Sequence, residues 1–270
     1  MTVHFLVLRR RTGLSTGVGV LIDTLHRVRR RGLDRFRRLD AAAWHTPTRY
    51  AGRSVHDAAR LLVHHAESRA ATSGTRSDQF PGAAPPELRR SAGWAPTRTV
   101  WAMGHAVEEE YRTLLTRAIP TGDLPDEGGW HWSLHVAHLL WDAWHQERDV
   151  CLALGLRTRS TVDEGRLVAL YSLLYAAQTA AEVEGRSSFR LTLTGGVPGV
   201  YSATATEDDA LAIFGLRERP PTVEVRDRAI LDALAGRGPE LATLFPDLPD
   251  LARQLEYARR LTMTGATAAQ

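Results

Sequence analysis

The chain contains no lysine and no asparagine, and it has one cysteine among its 270 residues. Without lysine there is no Schiff base, no lysine general base and no phosphate-binding loop of the G-x-x-x-x-G-K type. The single cysteine, Cys151, excludes a disulfide within the chain, which is typical of a reducing compartment. No apolar run approaches the length of a membrane span, and the apolar segment at residues 1–8 is too short for a signal peptide. We therefore expect a cytoplasmic protein with no membrane partner.

All 34 basic residues are arginine, and the formal net charge is +3. The excess is local, because residues 27–38, RVRRRGLDRFRR, form the one dense basic run. A run of this kind could bind phosphates, but it is more often the solvated face of a helix. Since aromatic and basic residues do not alternate along it and no reading motif accompanies it, we expect no nucleic-acid partner.

Apolar residues recur at helical spacing in the first two thirds of the chain, which predicts five helices. Ser54 is a good N-cap for the second helix, because Asp57 follows three residues later. All five helices are long enough to stack as a bundle. The predicted helices are residues 18–39, a segment from Ser54 through His65, and residues 97–117, 130–156 and 161–184.

The pattern changes at Gly185. Two segments, Phe189–Thr194 and Val200–Thr206, alternate apolar and polar residues and are joined by a glycine-rich turn, which predicts a hairpin. The sequence therefore predicts an α+β protein, with a helical bundle over residues 1–184 and a small α+β domain over residues 185–270. Further elements predicted in the second domain are a short strand at 223–225 and amphipathic helices at 228–235 and 248–261.

Three ordered segments carry a family resemblance: residues 44–57, WHTPTRYAGRSVHD, residues 144–155, WHQERDVCLALG, and residues 235–237, AGR. In order and spacing they resemble the mycothiol-dependent maleylpyruvate isomerase family. The resemblance implies a DinB-like four-helix bundle joined to a sterol-carrier-like α+β domain. It also implies mycothiol or a similar thiol as the cofactor.

The same resemblance implies a divalent metal held by a histidine of the second helix and a Glu-x-x-x-His pair of the fourth. This chain carries Leu61, Asp142 and Gln146 at those positions. An aliphatic side chain does not coordinate metals, and a neutral amide is a poor ligand for zinc-like ions. The family's site is therefore lost, moved or remade for other chemistry.

Histidines and aspartates follow one stripe of the fourth helix, at spacings of four and three residues. The stripe comprises His131, His135, His138, Asp142, His145 and Asp149. One hypothesis is that a metal site survives one helical turn away, displaced by about 5 Å. Its ligands would be His65, His138 and Asp142.

The alternative is a site that works without a metal. The acid and base residues would then come from the fourth helix: Asp142, His138 and His145. Flat side chains and hydrogen-bonding groups would bind a small-molecule substrate: Trp141, Trp144, Gln146 and Arg237. Arg237 has a second interpretation, as an exposed arginine that complements a helix C-terminus.

We expect a divergent enzyme of the mycothiol-dependent type, monomeric or homodimeric. It would transfer a low-molecular-weight thiol to a small electrophilic metabolite, or isomerise that metabolite, in specialised biosynthesis. Two alternatives stay open at this point. One is a metal-free tailoring enzyme such as a cyclase, and the other is a non-catalytic protein that binds a small molecule in the bundle.

Overall fold

The computed structural model describes residues 5–9, 13–14, 17–49, 52–72, 88–118, 132–206, 209–215 and 223–257. Five long helices coincide with the five predicted helices, and strands follow them, so the predicted α+β class is confirmed. The helices are α1 (Val18–Phe36), α2 (Val55–Thr72), α3 (Pro96–Ala118), α4 (Trp132–Ala153) and α5 (Val162–Glu184).

Helix α2 begins where the capping residues predict it. The Ser54 hydroxyl accepts a hydrogen bond from the Asp57 backbone N–H at 3.2 Å, and the Asp57 carboxylate accepts one from the Ser54 backbone N–H at 2.8 Å. Two backbone donors that a helix start leaves unpaired are thereby satisfied.

The strands are β1 (Phe5–Arg9), β2 (Gly13–Leu14), β3 (Arg186–Thr194), β4 (Gly199–Thr206), β5 (Asp209–Gly215) and β6 (Val223–Arg226). They form one mixed sheet in the order β2-β1-β5-β4-β3-β6. The predicted hairpin is confirmed as the antiparallel pair β3–β4, and the short predicted strand is β6, which lies parallel to β3. After the sheet come α6 (Asp227–Leu234), α7 (Leu241–Leu244) and a helical segment at residues 249–257.

Two parts of the sheet were not predicted. β5 was missed, and so was the pairing of the N-terminal strand β1 with β5, in which Phe5 faces Ile213 and Arg9 faces Asp209. The beginning of the chain thus contributes to the sheet that follows the helices. The division into domains at residue 184 stays a prediction.

Helix α5 lies between the other helices and the sheet. It packs against β3, β4 and β5 on one side and against α4 on the other. Every residue from Leu167 to Ala181 is buried. A helix that is apolar on all sides is typical of such a central position. Gly185 ends it with φ of 78°, a left-handed conformation that glycine adopts without strain.

The first four helices pack on one another, α1 against α3 and α4, and α2 against α3 and α4. Their apolar faces belong to two clusters. One joins α1 and α4 to α5 and the sheet, and the other joins α2 and α3 to the end of α1 and to Trp44. Helix α4 thus has neighbours on several sides, and its polar residues are enclosed.

Candidate functional site

Helix α4 carries the polar residues of the candidate site in a buried position. From Leu134 to Cys151 every residue except His135 is buried. A buried polar group destabilises the fold unless it is hydrogen-bonded, so each one needs a partner in the protein or in a bound molecule. His131 of the predicted stripe lies outside the described residues.

His65 of α2 and Asp142 of α4 are in direct contact. His65 Nδ1 lies 2.6 Å from Asp142 Oδ2, and Gln146 Nε2 donates to the same oxygen at 2.7 Å. Because a carboxylate oxygen only accepts hydrogen bonds, Nδ1 carries the proton in this contact. In the neutral ring the lone pair is then on Nε2, so the carboxylate sets the tautomer of the imidazole.

The same contacts fix the orientation of the Gln146 amide. If the amide were turned over, its carbonyl oxygen would face the Asp142 carboxylate, which is repulsive. A distance of 3.4 Å separates Gln146 Nε2 from His65 Nδ1, and both nitrogens donate to the carboxylate. Gln146 Oε1 is buried and has no hydrogen-bond partner among the described residues. It is therefore an acceptor left for another group.

Asp142 is ionised in the folded protein. Burial would raise the pKa of its carboxyl, but the charge and hydrogen bond of His65 lower it, with a contribution from Arg237. The net effect holds the pKa of Asp142 far below its usual range. The side chains of His65 and Asp142 keep 13% and 12% of their surface exposed, so a small molecule can approach this pair.

His138, the second imidazole of the predicted metal trio, has a different partner. Its Nδ1 lies 2.9 Å from the hydroxyl of Tyr171 on α5, and its ring stacks on Trp141 with centroids 5.4 Å apart. In the part of the chain that the structure describes, no three His, Cys, Asp or Glu side chains are grouped to hold a metal ion. Of the trio, His65 and Asp142 meet, whereas His138 bonds Tyr171.

The family's own ligand positions do not fit a metal either. Leu61 is buried and aliphatic, and the Gln146 amide donates its N–H to Asp142 instead of offering an oxygen there. Asp142 is the one ionised ligand of the three, and its Oδ2 already accepts two hydrogen bonds. A metal ion would need at least one more anionic or imidazole ligand at this place.

The two tryptophans of the predicted substrate wall differ. Trp141 Nε1 donates to the hydroxyl of Ser172 at 3.0 Å, so its polar edge is used within the core. Trp144 Nε1 is buried without a hydrogen-bond partner among the described residues, and the guanidinium of Arg148 lies 5.8 Å from its ring. Trp144 thus keeps a donor that Trp141 has used.

His145 is enclosed completely. It is 0% exposed, and its ring contacts Trp141 and Trp144 edge to face, at centroid distances of 4.9 and 5.0 Å. Neither ring nitrogen has a hydrogen-bond partner within the described chain. Burial, and after it the charge of Arg237, hold the pKa of His145 well below its usual value. The ring is therefore neutral, with one N–H donor and one acceptor.

The side chain of Arg237 is 8% exposed, contrary to its interpretation as an exposed arginine. Gly236, with φ of 69°, turns the chain after α6, and the Arg237 backbone N–H donates to the Asp232 carbonyl at 2.7 Å. The turn directs the side chain toward α4, where Arg237 Nε lies 2.6 Å from Asp149 Oδ2. The guanidinium is thus paired with a carboxylate of the protein itself.

A network of ion pairs around Asp149 was missed by sequence reasoning. Arg49 Nη2 donates to Asp149 at 2.7 Å, and Arg49 Nη1 donates to Asp232 at 2.9 Å. Arg148 makes two bonds to Asp232, at 3.1 and 2.9 Å. The adjacent Arg148 and Asp149, on a helix whose other residues include many apolar ones, were the signal for it, because charges buried together are usually paired.

The basic run at residues 27–38 is divided: Arg27, Arg30, Arg37 and Arg38 are exposed, as expected of a solvated face, whereas Arg29, Arg31 and Arg35 turn toward neighbouring helices. Arg29 and Glu110 are each 2% exposed, and the Arg29 guanidinium donates to the carboxylate at 3.1 Å. The run is therefore part of the contact between α1 and its neighbouring helices. Its other pairs across helices are Arg27 and Arg31 with Glu164, Arg30 with Glu108, and Arg31 and Arg35 with Glu147.

Comparisons with known proteins found no relative of this chain: no family model, no curated protein and no solved structure matches it. Within the described residues, none of the helices has both the length and the apolar character needed to cross a bilayer. The function has to be argued from the side chains themselves.

Proposed function

We propose that this chain is a metal-independent enzyme that activates a low-molecular-weight thiol and adds it to a small electrophilic metabolite, or uses it to isomerise that metabolite. The contact between His65 and Asp142 carries the proposal. Asp142 occupies one of the ligand positions that the resemblance to the mycothiol-dependent maleylpyruvate isomerase family implies, and His65 lies one helical turn beyond Leu61, which occupies another. Mycothiol is the thiol that this resemblance favours, and a DinB-like bundle with a sterol-carrier-like domain is the architecture that goes with it.

His65 is the general base in this proposal. A thiol has a pKa of about 8.5, so only a small fraction is thiolate at neutral pH. In the family the metal lowers that pKa. Here Asp142 stabilises the imidazolium that forms when His65 Nε2 takes the thiol proton, and the hydrogen bond of Gln146 keeps the carboxylate in place.

The proton and the electron pairs balance over one cycle. The thiolate sulfur forms a bond to one alkene carbon of an unsaturated carbonyl compound, and the π pair moves into the carbonyl as an enolate. The His65 imidazolium returns the proton to the other carbon, which completes the addition. In an isomerisation the C–C single bond of the enolate rotates instead. The enolate pair then re-forms the double bond as the sulfur leaves with the C–S bonding pair, and the thiolate takes its proton back from His65.

The surroundings of the pair suit such a step. Asp142 is buried, which limits the water around the pair. The side chains of His65 and Asp142 still keep 13% and 12% of their surface exposed, and a thiol would approach there. General acid–base catalysis of this kind contributes about 100-fold to 10,000-fold in rate.

Dimethyl maleate tests the proposal because one probe reports both reactions. A thiol adds across its double bond, and addition followed by elimination gives dimethyl fumarate. The protein would be incubated with dimethyl maleate and mycothiol, or N-acetylcysteine as a simpler thiol, before and after exhaustive chelation. We expect catalysis that survives chelation and falls about 100-fold or more in His65→Gln.

His64→Gln is the matched control, because His64 is the neighbouring residue on α2 but bonds Ser91 at 2.9 Å. It should keep the wild-type rate. Equal loss in both variants would mean that α2 has been disturbed rather than that a base has been removed. A rate that disappears on chelation and returns with zinc would contradict the metal-independent mechanism.

A further inference from the structure

Polar atoms without partners are concentrated on one stretch of α4. Three consecutive residues each leave hydrogen-bonding capacity unused within the described chain: Trp144 at Nε1, His145 at both ring nitrogens, and Gln146 at Oε1. All three side chains are more than nine-tenths buried, at 8%, 0% and 5% exposure. Each such group destabilises the fold by about 1–3 kcal/mol unless something bonds it.

The chemistry of these atoms is mixed and uncharged. Trp144 Nε1 is a donor, Gln146 Oε1 is an acceptor, and the neutral His145 ring offers one of each. The nearby charged groups are already paired with one another, Arg148 with Asp232 and Arg237 with Asp149. A charged ligand would therefore have to compete with these ion pairs, whereas a neutral one would not.

We propose that this stretch of α4 is a binding site for a neutral, planar small molecule that carries both a hydrogen-bond donor and an acceptor, such as a carboxamide, a lactam or an enol. His145 is its central contact, because its ring lies between the edges of Trp141 and Trp144. Trp144 and Gln146 supply the outer hydrogen bonds. Gln146 also bonds Asp142, so the site adjoins the His65–Asp142 pair. If the bound molecule is the substrate, the inference rests on the proposed function.

Acetamide and benzamide are suitable probes, because both carry an amide donor and acceptor and they differ in flat apolar surface. Benzoate has the same shape as benzamide and carries a negative charge. Binding would be followed through the ring nitrogen-15 resonances of His145, assigned by their absence in His145→Phe. We expect saturable shifts with at least one of the two amides, and binding of benzoate weaker than that of benzamide by about tenfold.

His145→Phe keeps a ring but removes both nitrogens, so it should weaken amide binding by about tenfold or more for the two hydrogen bonds lost. That binding would be measured by calorimetry. His145→Gln restores a donor and an acceptor and should recover part of the affinity, which guards against a misfolded variant. His105→Phe, on the exposed side of α3, is the control and should bind as the wild type does.

The inference is overturned if neither amide shifts the His145 resonances, if His145→Phe binds as tightly as the wild type, or if benzoate binds as well as benzamide. Turnover of dimethyl maleate without amide binding would overturn this inference and leave the proposed function standing. Amide binding by a protein that catalyses no reaction of dimethyl maleate with mycothiol or N-acetylcysteine would support this inference and contradict the proposed function.

Discussion

Arg148 of α4 and Asp232 of α6 form a two-bond ion pair, with Nε 3.1 Å from Oδ1 and Nη2 2.9 Å from Oδ2. Two parallel bonds between a guanidinium and a carboxylate fix both planes relative to each other. The pair therefore sets how the segment after the sheet lies on α4. Arg49 adds a third chain segment by bonding both Asp232 and Asp149.

Removing the Asp232 carboxylate should destabilise the protein strongly. In Asp232→Ala the buried Arg148 loses both of its bonds and Arg49 loses one of its two partners, which should lower the free energy of unfolding by about 3 kcal/mol. Urea unfolding would measure it. Asp250→Ala is the control, because its side chain is 86% exposed and pairs with Arg253, so it should change stability by less than ~0.5 kcal/mol.

The contact of α1 with α4 depends on Glu147 in the same way. Arg31 Nη2 and Arg35 Nη1 donate to its carboxylate at 2.6 and 2.9 Å, and Glu147 is 4% exposed. Glu147→Ala should cost about 3 kcal/mol, because the partly buried Arg35 loses this partner and Arg31 keeps its pair with Glu164 but loses the one with Glu147. Glu109→Ala, whose exposed carboxylate pairs with Arg112 one turn away, should cost less than ~0.5 kcal/mol in the same assay. Similar losses in the two variants would contradict this account.

His145 should make stability depend on pH. Its folded pKa is lowered, so below the unfolded pKa of about 6.5 the unfolded chain takes up a proton that the folded chain does not. The contribution of His145 to the free energy of unfolding is therefore complete above that pH and is lost as pH falls, with a limiting slope of about 1.4 kcal/mol per pH unit. Because other histidines also affect this slope, the test compares the wild type with a variant that lacks His145.

His145→Phe should remove that part of the slope. Between about pH 6.5 and 5 the wild type should lose roughly 1 kcal/mol more than the variant, measured by urea unfolding at each pH. If the free energies of unfolding of wild type and His145→Phe fell in parallel as the pH is lowered, folded His145 would take up a proton as readily as the unfolded chain does, which would contradict this account.

The family resemblance can be tested by restoring its ligands. Leu61 lies one turn before His65 on α2, and Gln146 lies one turn after Asp142 on α4. Leu61→His combined with Gln146→His should create a zinc site with Asp142, with a dissociation constant of about 1 μM or below. Calorimetry with zinc would measure it, and Gln146→His alone should bind more weakly. A folded double variant that binds no zinc would contradict the assignment of these positions.

Local sequence patterns predicted the helices and strands of this protein better than the contacts between them. The helices follow from apolar spacing, and the α2 start follows from Ser54 and Asp57, because these signals lie within a few residues. The pairing of β1 with β5 joins strands about 200 residues apart, and no local pattern encodes such a contact. The meeting of His65 with Asp142 was predicted as two members of the metal trio displaced by one turn from the family positions.

The ion pairs show the same limit. The sequence places Arg148 and Asp149 among the apolar residues at the end of α4, which indicates buried charge, but their partners lie in segments far along the chain. His138 was assigned to the metal from its place on the stripe, and its bond to Tyr171 depends on how α5 packs against α4. Side-chain direction inside a core is set by all neighbours together.

The state of the His65 ring tests the central claim most directly. Nitrogen-15 NMR at about pH 8 distinguishes a ring nitrogen that carries a proton from one that carries a lone pair. We predict a proton on Nδ1 and a lone pair on Nε2, and loss of this preference in Asp142→Asn. A proton on Nε2 in the wild type, or a ring unaffected by Asp142→Asn, would contradict the account of His65 as a base held by Asp142.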